Sequence, residues 1–323
     1  MRLRAYPRLH LSLIDLGGWT YRKYGGAGFS IAGLPVEVSA YLKIKAEQVR
    51  GLALLDGRGK SDVMSAISRF KELHPTPEFE VALESIPQQH IGLGTKTALV
   101  LAVLKAADIV TASKLELESM HGLSKRGGTS GVGFNLFFQG GFIVDGGQPP
   151  GSRDYGPSSA ARGALLAPVV CRATIPNGWR FHLLLPRGNR ISGREEIAFF
   201  QKHTPVPEIE VLKALALIYH GVAPAVLTDD LATLKSVLTE LHSIGFKKRE
   251  VENQSDNVIS LMSSIRSLPD CCVGLSSMGP LVYVIAIDRD YELEQSLKTL
   301  CGLYDADYLG NYEGRNAGFE VFG

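Results

Sequence analysis

Residues 121–147, HGLSKRGGTSGVGFNLFFQGGFIVDGG, hold nine glycines in 27 positions. Each glycine carries an entropic cost on folding, so such a run belongs where backbone turns sharply or approaches a ligand closely. A second glycine loop, Gly92-Leu93-Gly94-Thr95-Lys96-Thr97, opens an apolar helix. A helix N-terminus presents unpaired N–H groups and a positive dipole end, which together hold anions, phosphate above all. A tight strand-to-helix turn would have the same composition. Arg126 beside Gly127 and Gly128 adds a cation able to hold phosphate or carboxylate, with a solvated loop charge as the alternative. Together the loops suggest an enzyme that holds a phosphorylated ligand.

Nucleotide motifs of the familiar kinds fail. Residues 122–129 nearly fit P-loop spacing, but Gly128 stands where the phosphate-binding lysine belongs. Gly92-Leu93-Gly94 lacks the third glycine of a dinucleotide fingerprint. Asp229 and Asp230 resemble an acidic ribose-binding loop, yet Leu231, Leu234, Leu238 and Leu241 keep helical spacing. Thr228 or Asp229 would cap that helix.

The elements that must position these loops follow from periodicity. Leu9, Leu11 and Leu13 alternate with His10 and Ser12, predicting a strand with one apolar face that ends at Asp15. Gly25, Gly26, Gly28 and Gly33 predict a loop or bent hairpin. Val36 to Ala46 alternate as a half-buried strand, and Ser61 can cap a helix carrying Val63, Ile67 and Phe70. Phe79–Leu83 reads as a strand, and 96–110 as a central helix apolar almost all round. Residues 148–159 are turn-rich and read as a surface excursion. Trp179–Leu185, 271–275, 281–288 and 318–322 read as strands. Helices are expected near 194–202, 208–220, 229–244 and 291–303. This is an α+β pattern, divided as 1–165, an N-terminal phosphate-loop domain, and 166–323, a C-terminal α+β domain.

With 323 residues, 45% of them apolar, the chain can bury two cores. A net charge of +1 gives no concentrated basic field, so neither nucleic acid nor a membrane surface is an expected partner. The four cysteines, Cys171, Cys271, Cys272 and Cys301, form no C-x-x-C pair, which argues against zinc. The N-terminal residues lack a signal peptide's apolar stretch, and no 18 consecutive residues are apolar; a cytoplasmic location is expected.

Taken in order, three segments resemble the galactokinase, homoserine kinase, mevalonate kinase and phosphomevalonate kinase (GHMP) superfamily. They are Pro7–Asp15, Ile91–Ala98 and Gly274-Leu275-Ser276-Ser277-Met278-Gly279-Pro280. Arg126-Gly127-Gly128-Thr129-Ser130-Gly131-Val132-Gly133 and Gly140–Gly147 resemble more narrowly the β-ribofuranosylaminobenzene 5′-phosphate synthase family, nearly along the whole chain. Several of the kinases place an aspartate where Gly133 stands, and glycine cannot orient or deprotonate an acceptor hydroxyl.

The resemblance implies a two-domain GHMP-kinase-like fold, cytoplasmic and homodimeric. It implies a reaction in methanopterin biosynthesis, in which phosphoribosyl pyrophosphate joins 4-aminobenzoate or 4-hydroxybenzoate with loss of pyrophosphate and CO2. Mg²⁺ would assist pyrophosphate departure. His10, Asp15 and Arg126 are the catalytic candidates, with Asp145 as a second carboxylate able to face the ribosyl cation. Gly92 to Thr97, Gly127 to Gly131, Ser276, Ser277 and Gly279 are the substrate-binding candidates. An ATP-dependent small-molecule kinase and a catalytically silent phosphoribosyl pyrophosphate-binding relative are the alternatives.

Overall fold

The computed structural model describes residues 1–43, 49–74, 77–151, 155–158, 164–188, 193–288 and 290–323. The chain begins β1 (Arg2–Ala5), β2 (Arg8–Asp15), β3 (Tyr24–Ser30), β4 (Val36–Leu42) and β5 (Val49–Arg50). It continues α1 (Gly57–Leu73), β6 (Phe79–Ser85), α2 (Thr95–Thr111), α3 (Leu117–Ser124), α4 (Val132–Gln139) and β7 (Phe142–Asp145). Then come β8 (Val169–Ala173), β9 (Trp179–Pro186), α5 (Arg194–His203), α6 (Glu208–Leu217), α7 (Ala223–Leu227), α8 (Leu231–Leu241), α9 (Gly245–Glu252) and α10 (Asp256–Arg266). The last elements are β10 (Cys271–Leu275), β11 (Val282–Ile287), α11 (Tyr291–Leu303), β12 (Ala306–Glu313) and β13 (Glu320–Phe322).

Three sheets result, ordered β13-β1-β4-β6-β5, β2-β3-β7-β8 and β10-β11-β9-β12. The final strand returns to the first: Glu320, Val321 and Phe322 pair with Arg4, Leu3 and Arg2. Strand β8, beyond residue 165, pairs with β7. One apolar core joins the second and third sheets through Phe29, which lies 5.5 Å from Phe181 and 5.0 Å from Phe142. The first sheet, α1, α2 and the inner faces of α3 and α4 enclose a second core. Helix α2 is buried on nearly every side, as its composition predicts, and it stands at the centre of that core.

Several expectations are corrected. Of the two expectations for the glycine-rich segment, the hairpin holds and the loop does not: 24–30 is a fully buried strand paired antiparallel with β2. A Cβ at Gly28 would fall 2.3 Å from the Leu9 carbonyl oxygen and 2.7 Å from Val132 Cγ1, so absent side chains let α4 and β2 close onto β3. Asp56, not Ser61, caps α1 by accepting from the Gly59 N–H at 2.6 Å. Asp230, not Thr228 or Asp229, caps α8. Asp229 has φ +56° and accepts from Trp179 Nε1 at 2.5 Å. Within 148–159, Gln148 and Tyr155 are buried: Gln148 exchanges two hydrogen bonds with the Leu165 backbone, both 2.9 Å, and Tyr155 packs edge-on against Tyr24 at 5.5 Å. Residues 152–154 and 159 of that stretch, and 44–46 of the expected β4, lie outside the described residues. Helices α9 and α10 and strand β12 were not expected from the periodicity.

The run Glu208–Leu227 (α6, a single π turn at Ile218–Val222, and α7) is long and apolar enough to cross a bilayer. Here its apolar side is used in packing: Ala214, Ile218, Val222 and Val226 all belong to the joint core.

Candidate active site

A cavity of about 340 Å³ opens where the glycine loops of the first half meet α5 and the Ser276–Pro280 loop. Its first wall is the start of α2. Gly94 caps the helix at φ +69° and leaves Thr95, Lys96 and Thr97 in the first turn, facing the cavity. Arg8, at the start of β2, also lines it and donates from Nη1 to the Gly92 carbonyl at 2.6 Å. Burial, with Arg126 nearby, lowers the Arg8 guanidinium to about 10, against the pull of Glu250. Lys96 pairs with Asp62 across from α1.

The third loop fastens this wall to β2. Ser276 Oγ accepts from the His10 N–H at 3.1 Å and donates to the Gly92 carbonyl at 2.7 Å. Gly279 lies against the Ile91–Gly92 backbone, where a Cβ would meet Ile91 C at 2.3 Å. Ser276 is therefore buried mortar, while Ser277 and Gly279 face the cavity.

The second wall is the 126–133 loop. Arg126 Nε donates to Thr97 Oγ1 at 3.3 Å, which joins the two glycine loops. Ser130 Oγ donates to Asp145 Oδ2 at 2.8 Å, lies 3.2 Å from His10 Nε2, and accepts from the Val132 N–H at 3.2 Å. With its hydroxyl proton on Asp145, Ser130 can only accept from His10, which makes His10 an Nε2–H tautomer. Burial, Arg8 and Lys247 push the His10 imidazole well below its ordinary value, so it is neutral. Burial likewise raises Asp145 to about 6, against the hydrogen bonds it accepts from Gly147, Ser130, Gly131 and Val132.

The strand alternation predicted for β2 breaks here. The register against β3 shifts between His10 and Ser12. Leu9 and Leu11 stay in the joint core, but Leu13 turns to the same side as His10, and both line the cavity. A regular strand would send residues three apart to opposite faces.

The second half of the chain supplies two carboxylates, Glu196 on α5 and Glu250 on α9. Lys247 and Glu250 are both buried and pair at 2.5 Å, and Lys247 also donates to the Leu275 carbonyl at 3.0 Å. Burial raises Glu196, opposed by Arg126, Lys96 and Arg58. Arg8, Arg58, Lys96 and Arg126 thus face Glu196 and Glu250, an excess of two positive charges suited to a multiply charged anion.

Among the described residues, no three His, Cys, Asp or Glu side chains gather as a metal cage. A cation that keeps water and takes its ligands mainly from phosphate needs only one or two protein oxygens. Glu196 and the Thr95 and Thr97 hydroxyls fit that lesser demand.

Of the sequence candidates, the cavity gathers His10, Arg126, Gly92, Gly94, Thr95, Lys96, Thr97, Gly127, Thr129, Ser130, Ser277 and Gly279. Leu93 points into the joint core. Gly128 and Gly131 lie behind the wall; a Cβ at Gly131 would meet Ala167 Cβ at 2.7 Å. Asp15 is a correction. Its carboxylate is buried at the end of β2 and clasps the next turn, accepting from the N–H groups of Gly17, Gly18, Trp19 and Thr20. Its acceptor capacity is spent and it does not line the cavity. Arg8, Glu196, Phe200 and Glu250 were missed. The one signal for two of them is the i, i+4 spacing of Glu196 and Phe200 on a single helix face.

No protein-family model matches the chain. It is 32% identical over 294 residues to the β-ribofuranosylphenol 5′-phosphate synthase of Methanocaldococcus jannaschii, covering 88% of each chain. It is 32% identical over 307 residues to the protein of that name from Archaeoglobus fulgidus, covering 92% of this chain and 91% of that one. Among solved structures it resembles Streptococcus pneumoniae phosphomevalonate kinase, with TM-score 0.69, 9% identity, and 98% and 99% of the two chains covered. It also resembles homoserine kinase from Cytophaga hutchinsonii, with TM-score 0.65, 14% identity, and 100% and 97% covered. At these identities the kinases share the fold alone: the chain has the α+β GHMP-kinase fold.

Proposed function

The chain belongs to the β-ribofuranosylphenol 5′-phosphate synthase family, and from that premise we propose a pentosyltransferase that joins phosphoribosyl pyrophosphate to a 4-substituted benzoate. Of the two benzoates, the relatives' name favours 4-hydroxybenzoate, since ribosylation with loss of its carboxylate leaves a ribosylphenol. The observation that carries the reading is the meeting of four cations and the α2 N-terminus in one cavity, in a chain that aligns with the synthases over about nine-tenths of its length.

The reaction makes one bond and breaks two. The ring carbon bearing the carboxylate attacks C1′ of the ribosyl group as the C1′–O bond to pyrophosphate breaks. The 4-hydroxyl proton is released, leaving a cyclohexadienone. The C–CO2 bond then breaks, its electron pair restores the aromatic ring, and the oxygen regains a proton. The residues that serve the first step are those facing the leaving group. Arg8, Lys96 and Arg126, with the N–H groups at the start of α2, meet the growing negative charge. Gly133 stands in the wall without a side chain, so that position supplies no base for phosphoryl transfer. Mg²⁺, held by Glu196 with Thr95 or Thr97, would supply further neutralisation of pyrophosphate. The setting is methanopterin biosynthesis in the cytoplasm, where the four free thiols stay reduced; the active form is a homodimer.

The test is release of pyrophosphate and CO2 from phosphoribosyl pyrophosphate with each benzoate in turn, with Mg²⁺ present and ATP as control. Equal release of both products with 4-hydroxybenzoate is expected. ATP-dependent phosphorylation of an alcohol, with no pyrophosphate released, would sink the proposal.

A further inference from the structure

The lining of the cavity has two chemical characters. Arg8, Gly94, Thr97 and Arg126 form the cationic part: Arg126 bonds Thr97, and a Cβ at Gly94 would sit 3.0 Å from Arg8. Another part of the lining is apolar. Leu13, Phe200 and Met278 form it, and all three belong to one contiguous cluster with Phe199 and Phe246. That cluster is separate from both cores that carry the glycine loops. Phe200 lies 4.7 Å from the Phe246 ring and is nearly fully buried, so it forms a fixed face. Met278 rides on the Ser276–Pro280 loop, whose Ser277 N–H donates to the His10 carbonyl at 3.1 Å.

Of the two substrates, phosphoribosyl pyrophosphate has charged groups at both ends of a hydroxylated sugar and no apolar face. Only the aromatic acid can use an apolar wall. We propose that Leu13, Phe200 and Met278 form the subsite that holds the acceptor ring and sets acceptor size; this rests on the synthase reading. Three elements far apart in sequence build it: the end of β2, α5 and the β10–β11 loop. The register shift in β2 is what brings Leu13 to it. Helix α5 serves both parts, since Glu196, one turn before Phe200, faces Arg126, Lys96 and Arg58.

The experiment opens the wall instead of only damaging it. Phe200→Ala and Met278→Ala are compared with the unmodified protein, each first checked for a cooperative thermal transition. Binding of phosphoribosyl pyrophosphate alone, and of 4-hydroxybenzoate to the loaded protein, is measured by calorimetry. Both variants are expected to lose about tenfold or more in 4-hydroxybenzoate affinity and to keep phosphoribosyl pyrophosphate affinity within twofold. Phe200→Ala is also expected to turn over 6-hydroxy-2-naphthoate, and the unmodified protein is expected to reject it. Met278→Ala carries the binding test if Phe200→Ala does not fold. Equal losses for both substrates, or unchanged acceptor affinity, would overturn the subsite. Failure of the unmodified protein to release pyrophosphate with any benzoate would instead overturn the synthase reading.

Discussion

Restoring an aspartate at Gly133 separates a vacant position from a filled one. A Cβ built there lies 3.5 Å from Thr97 Cγ2 and 3.9 Å from Arg8 Cγ, both ordinary contacts, so the wall accepts a side chain without moving. Gly133 is in the first turn of α4, where aspartate outdoes glycine in helix propensity and favours the dipole, each by a few tenths of a kcal/mol. Folding should be unchanged or slightly improved. Binding should not be. A carboxylate beside Arg8 opposes the anion this cavity is shaped to hold. One unit charge about 6 Å from a phosphate charge, at an effective dielectric of about 20, costs about 2.8 kcal/mol. Gly133→Asp should therefore weaken phosphoribosyl pyrophosphate binding by about 2–3 kcal/mol, roughly 30- to 150-fold. Isothermal calorimetry reads the affinity and a thermal melt reads the fold. Affinity within twofold of the unmodified protein would place the phosphates elsewhere. A melting point lowered by more than about 5 °C would show that the space is not free.

Two other perturbations reach different parts of the molecule. Gly94→Ala forces a side chain into left-handed backbone, at about 1–2 kcal/mol, and moves Arg8; a melting point lowered by several degrees and roughly tenfold weaker phosphoribosyl pyrophosphate binding are expected. Retention of both by melt and calorimetry would mean that Arg8 and the loop are not coupled. His182 is fully buried, with Nδ1 2.8 Å from the Tyr308 hydroxyl, and burial lowers it to about 4. Its folded value lies below its unfolded one, so its contribution is complete above pH 6.5 and is lost as pH falls toward 4. That loss is about 1 kcal/mol by pH 5.5 and about 3 by pH 4.5. His10 and His242, also lowered by burial, act in the same sense, while Asp145, raised to about 6, acts oppositely. Urea unfolding of His182→Gln between pH 7.5 and 4.5 should show a shallower fall than the unmodified protein; an identical slope would remove His182 from the titration.

How much of this could be read in advance differs by element. β4 and β6 were legible from alternating apolar positions, of which Val36, Val38, Ala40, Phe79, Val81 and Leu83 are buried, and α2 and β10 from nearly unbroken apolar runs that are buried along most of their length. The three glycine loops were legible as a set, and they do converge. β3 was legible only as one of two alternatives, because its glycines signal breakage locally while serving close approach between β2, α4 and the sheet. The joint facing of His10 and Leu13 was hidden by a register shift, which has no composition of its own. Asp15 looked like a free acid at a strand end, but four backbone N–H groups a few residues on consume it. Arg8 and Glu250 were invisible as site residues because their roles depend on pairings across more than eighty residues or through a buried lysine. Phe200 read only as one more apolar residue of a short helix.

The pairing of β13 with β1 bears on how the molecule assembles. Residues 320–322 meet residues 2–4, so nearly the whole chain lies between the partners. Closing a flexible loop of that size directly would cost about 5 kcal/mol in chain entropy. The contact therefore forms after the β1–β4 and β4–β6 pairings, which span far fewer residues, have already drawn the ends together. Until it forms, β1 presents an unpaired edge. While that edge is bare it offers folding chains a strand to join edge to edge, and β13 is the element that covers it.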